Sequence, residues 1–192
     1  LLGAGLLWAG WFGFNGGSGL VAGNLASLAC LTTNSAGASA ALVWMALETL
    51  QRGKPTAVGV ATGAVAGLVA ITPAAGFVGP TAALMIGAGA AVASSYTLQL
   101  KNRLGLDDSL DVVPVHGVAG LVGILLTGVF CLKAINPAGA DGLLAGHPAQ
   151  LWIQLQAAAF VLLWVGVGTY AVLTLIRQML PLRVSALQEQ QG

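Results

Sequence analysis

Long apolar runs, separated by short polar turns, extend along the whole chain. Among them, Val112–Leu132 has 21 residues and contains no Asp, Glu, Lys or Arg, which exceeds the ~18 residues needed for a membrane-spanning helix. Membrane-spanning strands would alternate polar and apolar positions, and the runs lack that alternation. We therefore predict an all-α polytopic membrane protein with one transmembrane domain over residues 1–192. The six predicted helices are Leu1–Leu20, Gly23–Leu50, Ala57–Ile71, Pro80–Leu100, Val112–Leu132 and Leu151–Ile176.

The composition supports the membrane assignment. Hydrophobic residues make up 57% of the chain and charged residues 7%, whereas soluble domains carry about 25% charged residues. The net charge is +1 and the seven Lys and Arg are dispersed, which excludes the clustered basic face of a nucleic-acid-binding protein. Glycine is abundant, and Gly59, Gly63 and Gly67 predict a ridge for close contact with a neighbouring helix.

The basic residues also predict how the chain is oriented. Six of the seven lie on one side of the predicted helices, and Lys133 lies on the other. Because loops rich in Lys and Arg face the cytoplasm, that side is expected to be cytoplasmic in a multi-pass protein of the cell membrane, with a cytoplasmic C-terminus. The six residues are Arg52, Lys54, Lys101, Arg103, Arg177 and Arg183.

One ionisable group lies inside a predicted span. His116 is in the segment Asp111–Gly120, and no other apolar segment contains a histidine. An ionisable group in hydrocarbon usually faces a cavity, a partner or a transport path, and imidazole exchanges protons near neutral pH. Gly120 and Gly123 share its helix face and leave room for a permeant or for another helix. The alternative is a core histidine that forms a hydrogen bond to a neighbouring helix.

A group of aspartates precedes this helix. Asp107, Asp108 and Asp111 are close in sequence, as in some metal sites, but no His or Cys accompanies them. Helix capping, with Ser109 or Asp111 as the expected cap, and ion pairs with Lys101 or a neighbouring arginine are the favoured interpretation. The sequence contains no phosphate loop, nucleophile triad or metal-ligand spacing, so we expect neither an enzyme nor a cofactor or metal site.

The first helix carries a row of aromatic and hydroxyl side chains. At 100° per residue, Trp11, Phe14 and Ser18 fall within a sector of roughly 60°. Such a row attracts a small cation through cation–π contacts and hydrogen bonds. The alternative is an aromatic belt at the membrane interface or ordinary core packing.

Three segments resemble the ammonium transporter family (Amt/Mep, related to Rh proteins). They are Trp8–Ser18, Ile71–Gly79 and Asp107–Gly120, and the resemblance extends over essentially the whole chain. It implies an ammonium-transporter-like helical bundle, in which ten of eleven spanning helices form two inverted repeats around a pore, and a homotrimer. This chain resembles the second inverted repeat plus the final helix. Because Leu1 already lies inside an apolar run, we expect a fragment from which the N-terminal repeat is missing.

The resemblance also implies roles for individual residues. His116 resembles the second of the paired pore histidines, and Phe14 resembles an aromatic residue of the outer gate. Trp11 and Ser18 resemble residues of the external ammonium recruitment site. Apolar lining of the pathway is implied at Leu7 and Val112, and positions that match the family pattern with less defined roles are Asn15, Thr72 and Asp111.

The implied function is transport of ammonium or ammonia across a lipid bilayer. Aromatic faces and a hydroxyl would hold the cation, which would cross the apolar path as neutral ammonia. A PII-type signalling protein is an expected partner on the cytoplasmic side. Three alternatives remain open: a Rh-type gas channel, an ammonium sensor that feeds a signalling module, and a non-transporting scaffold or gene fragment. By itself, the half-pore of this chain is not expected to conduct.

Overall fold

The structure is a computed structural model that describes residues 1–191, and every secondary-structure element in that range is a helix. Each of the six predicted apolar segments corresponds to one long helix, which confirms the all-α prediction. A π-helix (Val113–Val118) directly precedes the fifth of them, and a 3-10 helix (Leu143–Ala145) precedes the sixth. The α-helices are α1 (Leu2–Gly17), α2 (Asn24–Arg52), α3 (Ala57–Ile71), α4 (Pro80–Leu104), α5 (Ala119–Phe130), α6 (Pro148–Met179) and α7 (Ala186–Gln191).

The chain divides into two compact units. The first, Leu1–Leu155, contains α1 to α5 and the beginning of α6, and the second begins at Gln156 with the rest of α6. In the second unit, Phe160 and Trp164 stack one helical turn apart, with ring centroids separated by 6.4 Å. Most apolar side chains of α6 are exposed, which is the surface expected of a helix in contact with lipid.

Three of the described helical segments are long and apolar enough to cross a membrane: α4, Val113–Phe130 and α6. The helices α1 and α3 are shorter, with 16 and 15 residues. The helix α2 has 29 residues, but its Thr, Ser, Asn and Glu side chains lower its mean hydropathy. Contacts with neighbouring helices, rather than hydropathy alone, would hold these three in a bilayer, and the six-span topology stays a prediction.

Backbone contact between α2, α3 and α4 forms the centre of the first unit. Gly67 of α3 and Gly87 of α4 both lie against the backbone of Ala36 of α2, which is fully buried. A Cβ atom added to Gly87 would lie 2.9 Å from the carbonyl carbon of Ala36, closer than non-bonded carbon atoms pack. The three helices therefore meet at one point because two of them have no side chain there.

The predicted glycine ridge on α3 is confirmed. Gly63 lies against Trp44 of α2, and Gly59 lies against the buried carboxyl group of Glu48, also on α2. Together with Gly67, these residues place one face of α3 directly on α2. The spacing of four residues keeps all three positions on that face.

Hydrogen bonds close the turn between α2 and α3. Gly53 ends α2 with φ 79°, a backbone conformation that favours glycine. Thr56 then caps α3, and the carboxylate of Glu48 accepts the Thr56 N–H at 2.8 Å. Beside this turn, the side-chain amide of Gln99 in α4 donates to Gln51 of α2 at 3.0 Å. The ends of α2 and α4 that carry basic residues therefore lie next to each other.

We predict that Gly87→Ala destabilises the bundle and that Gly89→Ala does not. The added methyl of Gly87→Ala meets the backbone of Ala36, whereas that of Gly89→Ala meets a leucine methyl of α5 at 3.5 Å, an ordinary contact. Overpacking of this kind typically costs about 1–3 kcal/mol, while alanine is intrinsically favoured over glycine in a helix. Thermal unfolding of the purified intact protein in detergent measures the difference. Equal unfolding temperatures for the two variants would contradict the packing described above.

Candidate functional site

The aromatic row of α1 lines an open apolar cavity of about 600 Å³. Trp11 and Phe14 meet edge to face, with ring centroids 6.3 Å apart and planes at 85°. Leu7 lies one turn before Trp11 on the same wall of the cavity, and Phe14 and Leu7 are 62% and 52% exposed. The first unit thus presents the predicted residues on an uncovered surface. The cavity lining consists of Gly3, Leu6, Leu7, Gly10, Trp11 and Phe14.

A hydrogen bond to Thr72, which directly follows α3, fixes the orientation of the tryptophan ring. The Trp11 Nε1–H donates to the hydroxyl oxygen of Thr72 at 2.8 Å. That hydroxyl in turn donates to the backbone carbonyl of Leu68 at 2.9 Å, so its oxygen is held in place as an acceptor. Thr72, whose role was undefined from the sequence, is therefore positioned to hold Trp11 rather than to line the cavity.

Asn15 in α1 and Ser18, which directly follows the helix, have opposite surroundings. Asn15 is buried, and its side-chain amide donates to the hydroxyl of Thr33 in α2 at 2.8 Å, so it joins α1 to α2. Ser18 is exposed, and its hydroxyl donates to the backbone carbonyl of Phe14 at 2.9 Å. Because that bond uses the only proton of the Ser18 hydroxyl, the oxygen lone pairs stay free to accept hydrogen bonds from a cation.

His116 lies beside the beginning of α1. It is exposed, it belongs to the π-helix, and it lines a cavity of about 260 Å³ together with Ala4 of α1, Thr62 of α3 and Asp111. α1 therefore contributes to two cavities, one at its aromatic row and one at the imidazole. Val112 is half exposed and lies in the lining of neither cavity.

The helix that carries His116 starts differently from the prediction. The sequence predicted a regular helix from Val112, capped by Ser109 or Asp111; instead, the carboxylate of Asp108 accepts the N–H groups of Val112 and Val113, each at 2.9 Å. The predicted cap was wrong because the carboxylate of Asp111 is paired with the ammonium group of Lys101 instead. Asp108 reaches the free N–H groups from outside the helix.

Charge at this helix start is balanced locally. The Lys101 ammonium group forms an ion pair with the carboxylate of Asp111, which confirms the predicted salt link. The N–H groups of Val113 and Val112, with the charge of Lys101, hold the pKa of the Asp108 carboxyl below its ordinary value. This cap is therefore ionised near neutral pH. Within residues 1–191, no group of three or more His, Cys, Asp or Glu residues is arranged to hold a metal ion.

The small residues near His116 make room for another helix. Gly123 of α5 lies against the backbone of Ala70 in α3, where an added Cβ would be 2.8 Å from the carbonyl carbon. Gly120 faces a methyl of Val69 at 3.9 Å. Of the two possibilities left open by the sequence, contact with a helix therefore applies at Gly123. Sequence reasoning did not identify Thr33, which has no distinctive spacing, and it predicted capping for the aspartates as a group without choosing Asp108.

The arrangement offers aromatic faces and an accepting hydroxyl on and directly after α1, and one imidazole beside the beginning of that helix. The family model of the Ammonium Transporter Family matches residues 1–192. The chain belongs to the ammonium transporter family. It is 48% identical to the ammonium transporter of Aquifex aeolicus over 189 residues, which cover 98% of this chain and 44% of that protein. It is 42% identical to the ammonium transporter of Bacillus subtilis, over 100% of this chain and 48% of that protein.

Solved structures agree with this assignment to the ammonium transporter family. The crystal structure of Saccharomyces cerevisiae Mep2 matches with a TM-score of 0.89 and 37% identity, over 96% of this chain and 43% of that chain. A structure described as a sensor Amt protein matches with a TM-score of 0.87 and 33% identity, over 100% of this chain and 46% of that chain. The chain spans about half the length of the curated relatives it matches.

We predict that Trp11→Phe and Thr72→Val each remove the same hydrogen bond and destabilise the protein to a similar extent. Trp11→Phe keeps an aromatic ring but removes the N–H, and Thr72→Val keeps the shape but removes the hydroxyl oxygen that accepts it. Each variant is expected to lose about 1 kcal/mol of unfolding free energy, and the double variant little more than either. Chemical unfolding in mixed micelles measures these values, with Trp152→Phe at an exposed position as control. Fully additive losses would contradict a shared hydrogen bond.

Proposed function

We propose that this chain supplies one half of a pathway for ammonium transport across the cell membrane. The observation that carries the proposal is that α1 both bears the row of Trp11, Phe14 and Ser18 and lines the cavity of His116. A permeant that follows α1 from Ser18 to Leu7 covers about 16 Å at 1.5 Å per residue. It then meets the imidazole near the start of the helix.

The outer part of this row suits a small cation. The ring faces of Trp11 and Phe14 attract positive charge, and the free lone pairs of Ser18 accept N–H groups, which compensates part of the lost hydration. Beyond them, Leu7 and the glycines of the cavity offer an almost wholly apolar surface. Bare charge is costly there, so deprotonation at the outer site favours passage as neutral ammonia.

The imidazole of His116 provides the polar contact within the apolar path. Neutral imidazole has one N–H donor and one acceptor nitrogen, which match the lone pair and the N–H groups of ammonia. We propose His116 as the pore histidine, with Leu7 and Val112 as apolar positions along the route and Asp111 beside it.

The second wall of the pathway is expected to come from the rest of the protein. Phe14 and Leu7 are more than half exposed in the first unit, and a cation site made of one aromatic row leaves the opposite side of the cation unbound. We therefore propose that function requires the N-terminal repeat, in a homotrimer of complete subunits. A PII-type signalling protein on the cytoplasmic side is proposed on family membership alone.

We predict that His116→Ala and Phe14→Ala each lower uptake of methylammonium at least tenfold in the intact protein, because one removes the polar contact and the other the outer ring. His147→Ala, in an exposed loop, and Phe160→Ala, on the exposed surface of α6, are the matched controls. Growth of a transport-deficient host on low ammonium gives the same comparison in cells. Uptake by His116→Ala equal to that of the wild type would refute the assigned role.

The orientation of the chain has a separate test. Lys54 lies in the turn after α2 and Lys101 in the last turn of α4, and these two helix ends are neighbours. Lys133 follows the C-terminal end of α5. We propose that the side of the membrane with Lys54 and Lys101 is the cytoplasmic side, and that the C-terminus lies on the same side. In intact cells, a membrane-impermeant maleimide is expected to label Lys133→Cys and to leave Lys54→Cys unlabelled until the membrane is opened. Both positions are exposed, so the reverse pattern would invert the topology.

An ammonium sensor is the second candidate. The likeness to the sensor Amt protein over the whole of this chain supports it. A sensor would bind ammonium at the aromatic row without transferring it, so the wild-type protein would show saturable binding and no methylammonium uptake. Gas permeability without uptake of the charged substrate would instead favour a Rh-type channel. If the protein neither binds ammonium nor conducts ammonium or gas, the non-transporting scaffold is the interpretation that remains.

A further inference from the structure

Lys101 is a buried charge that transport chemistry does not use. It lies in the last turn of α4, and only 9% of its surface is exposed. A lysine is almost never buried to this extent unless it is paired. Arg103, in the same turn, is exposed. A basic residue that only marked the end of a helix would lie in solvent as Arg103 does.

The ammonium group of Lys101 holds the turn that precedes the π-helix. It donates to the backbone carbonyl of Asp108 at 2.6 Å and to the carboxylate of Asp111. Asp111 has φ 55°, an unusual conformation for a residue other than glycine, and its carbonyl accepts the N–H of Val115 in the first turn of the π-helix at 3.0 Å. Lys101 thus contacts both residues that set where this helix begins.

The position of His116 depends on that start. It lies five residues after Asp111, and the two line the same cavity. The π-helix between them has a different pitch from an α-helix, so a return of Asp111 to ordinary helical dihedrals would rotate the imidazole. Loss of Lys101 would also leave the carboxylate of Asp111 as an unpaired charge beside an apolar path, where it would attract the imidazole or the permeant.

We propose that Lys101 is a positioning residue for His116, acting through Asp111 on the turn that starts the π-helix; this rests on the proposed transport function. Lys101 touches neither the permeant nor the imidazole. Its contribution is to keep Asp111 paired and in its left-handed conformation. The rate of passage past His116 should then depend on Lys101, while recruitment at the aromatic row should not.

The test uses the intact protein in the transport-deficient host. Lys101→Met is expected to lower the maximal rate of methylammonium uptake by about tenfold or more, since small displacements of a reacting group have effects of this order. The concentration for half-maximal uptake should stay unchanged. Lys101→Arg should restore part of the rate, because guanidinium also pairs with carboxylate. Arg103→Met should match the wild type.

A double-variant comparison tests the route through Asp111. Asparagine tolerates the left-handed conformation, so Asp111→Asn removes the charge and retains the backbone. If Lys101 acts through Asp111, the double variant Lys101→Met/Asp111→Asn should be no slower than Lys101→Met alone. Three results would overturn the inference. The first is that the losses of the two single variants multiply in the double variant. The others are a wild-type rate in Lys101→Met, and a rate that falls only in proportion to the amount of protein in the membrane.

A measurement that needs no transport separates this inference from the proposed function. With Cys30 and Cys131 replaced by alanine, the modification rate of His116→Cys by a small thiol reagent reports the exposure of position 116. Lys101→Met should change that rate severalfold and leave Thr62→Cys, in the same cavity, unaffected. An unchanged rate at 116 overturns the inference. Absence of uptake by the wild type, with the accessibility change present, would overturn only the proposed function.

Discussion

The close approach of three helices at Ala36 is the contact on which the first unit depends. Gly67 of α3 and Gly87 of α4 let both backbones reach the same point of α2. Lipid tails are as apolar as the side chains of these helices, so the hydrophobic effect does not drive helix association in a membrane. Close packing of this kind must hold the helices together instead. A larger residue in place of Gly67 or Gly87 would clash with the backbone of Ala36 and push its helix away from α2. Within the first unit, α1 and α5 pack onto these three helices.

The candidate pathway is built on α3 once that helix is fixed. Thr72, at the end of α3, accepts the hydrogen bond that orients Trp11. Gly123 of α5 packs against the backbone of Ala70, the last residue but one of α3. The positions of the aromatic row and of the helix that carries His116 therefore both depend on contacts with α3. Residues from distant parts of the sequence are therefore positioned by α3 without direct contact between them.

The turn between α4 and the π-helix is held by charge, whereas the helix contacts described above depend on packing. Asp108 satisfies N–H groups that the π-helix leaves free, and Lys101 neutralises Asp111 next to it. Of the interpretations open to the sequence, capping and ion pairing proved right for these aspartates, but the choice of cap did not. The aspartates and Ser109 are equivalent in a linear sequence. Only the path of the chain after α4 decides which carboxylate points at the helix start.

The sequence by itself determined the six helices, the glycine ridge of α3 and the aromatic row of α1, because each follows from hydrophobicity or from helical spacing along one segment. Tertiary structure alone decided the cap at Asp108, the π-helix around His116, the pairing of Asn15 with Thr33 and the support of Trp11 by Thr72. These depend on which helices become neighbours. A hydrogen bond between residues far apart in the chain leaves no periodic trace, whereas a helix buried on one face repeats its pattern at every turn.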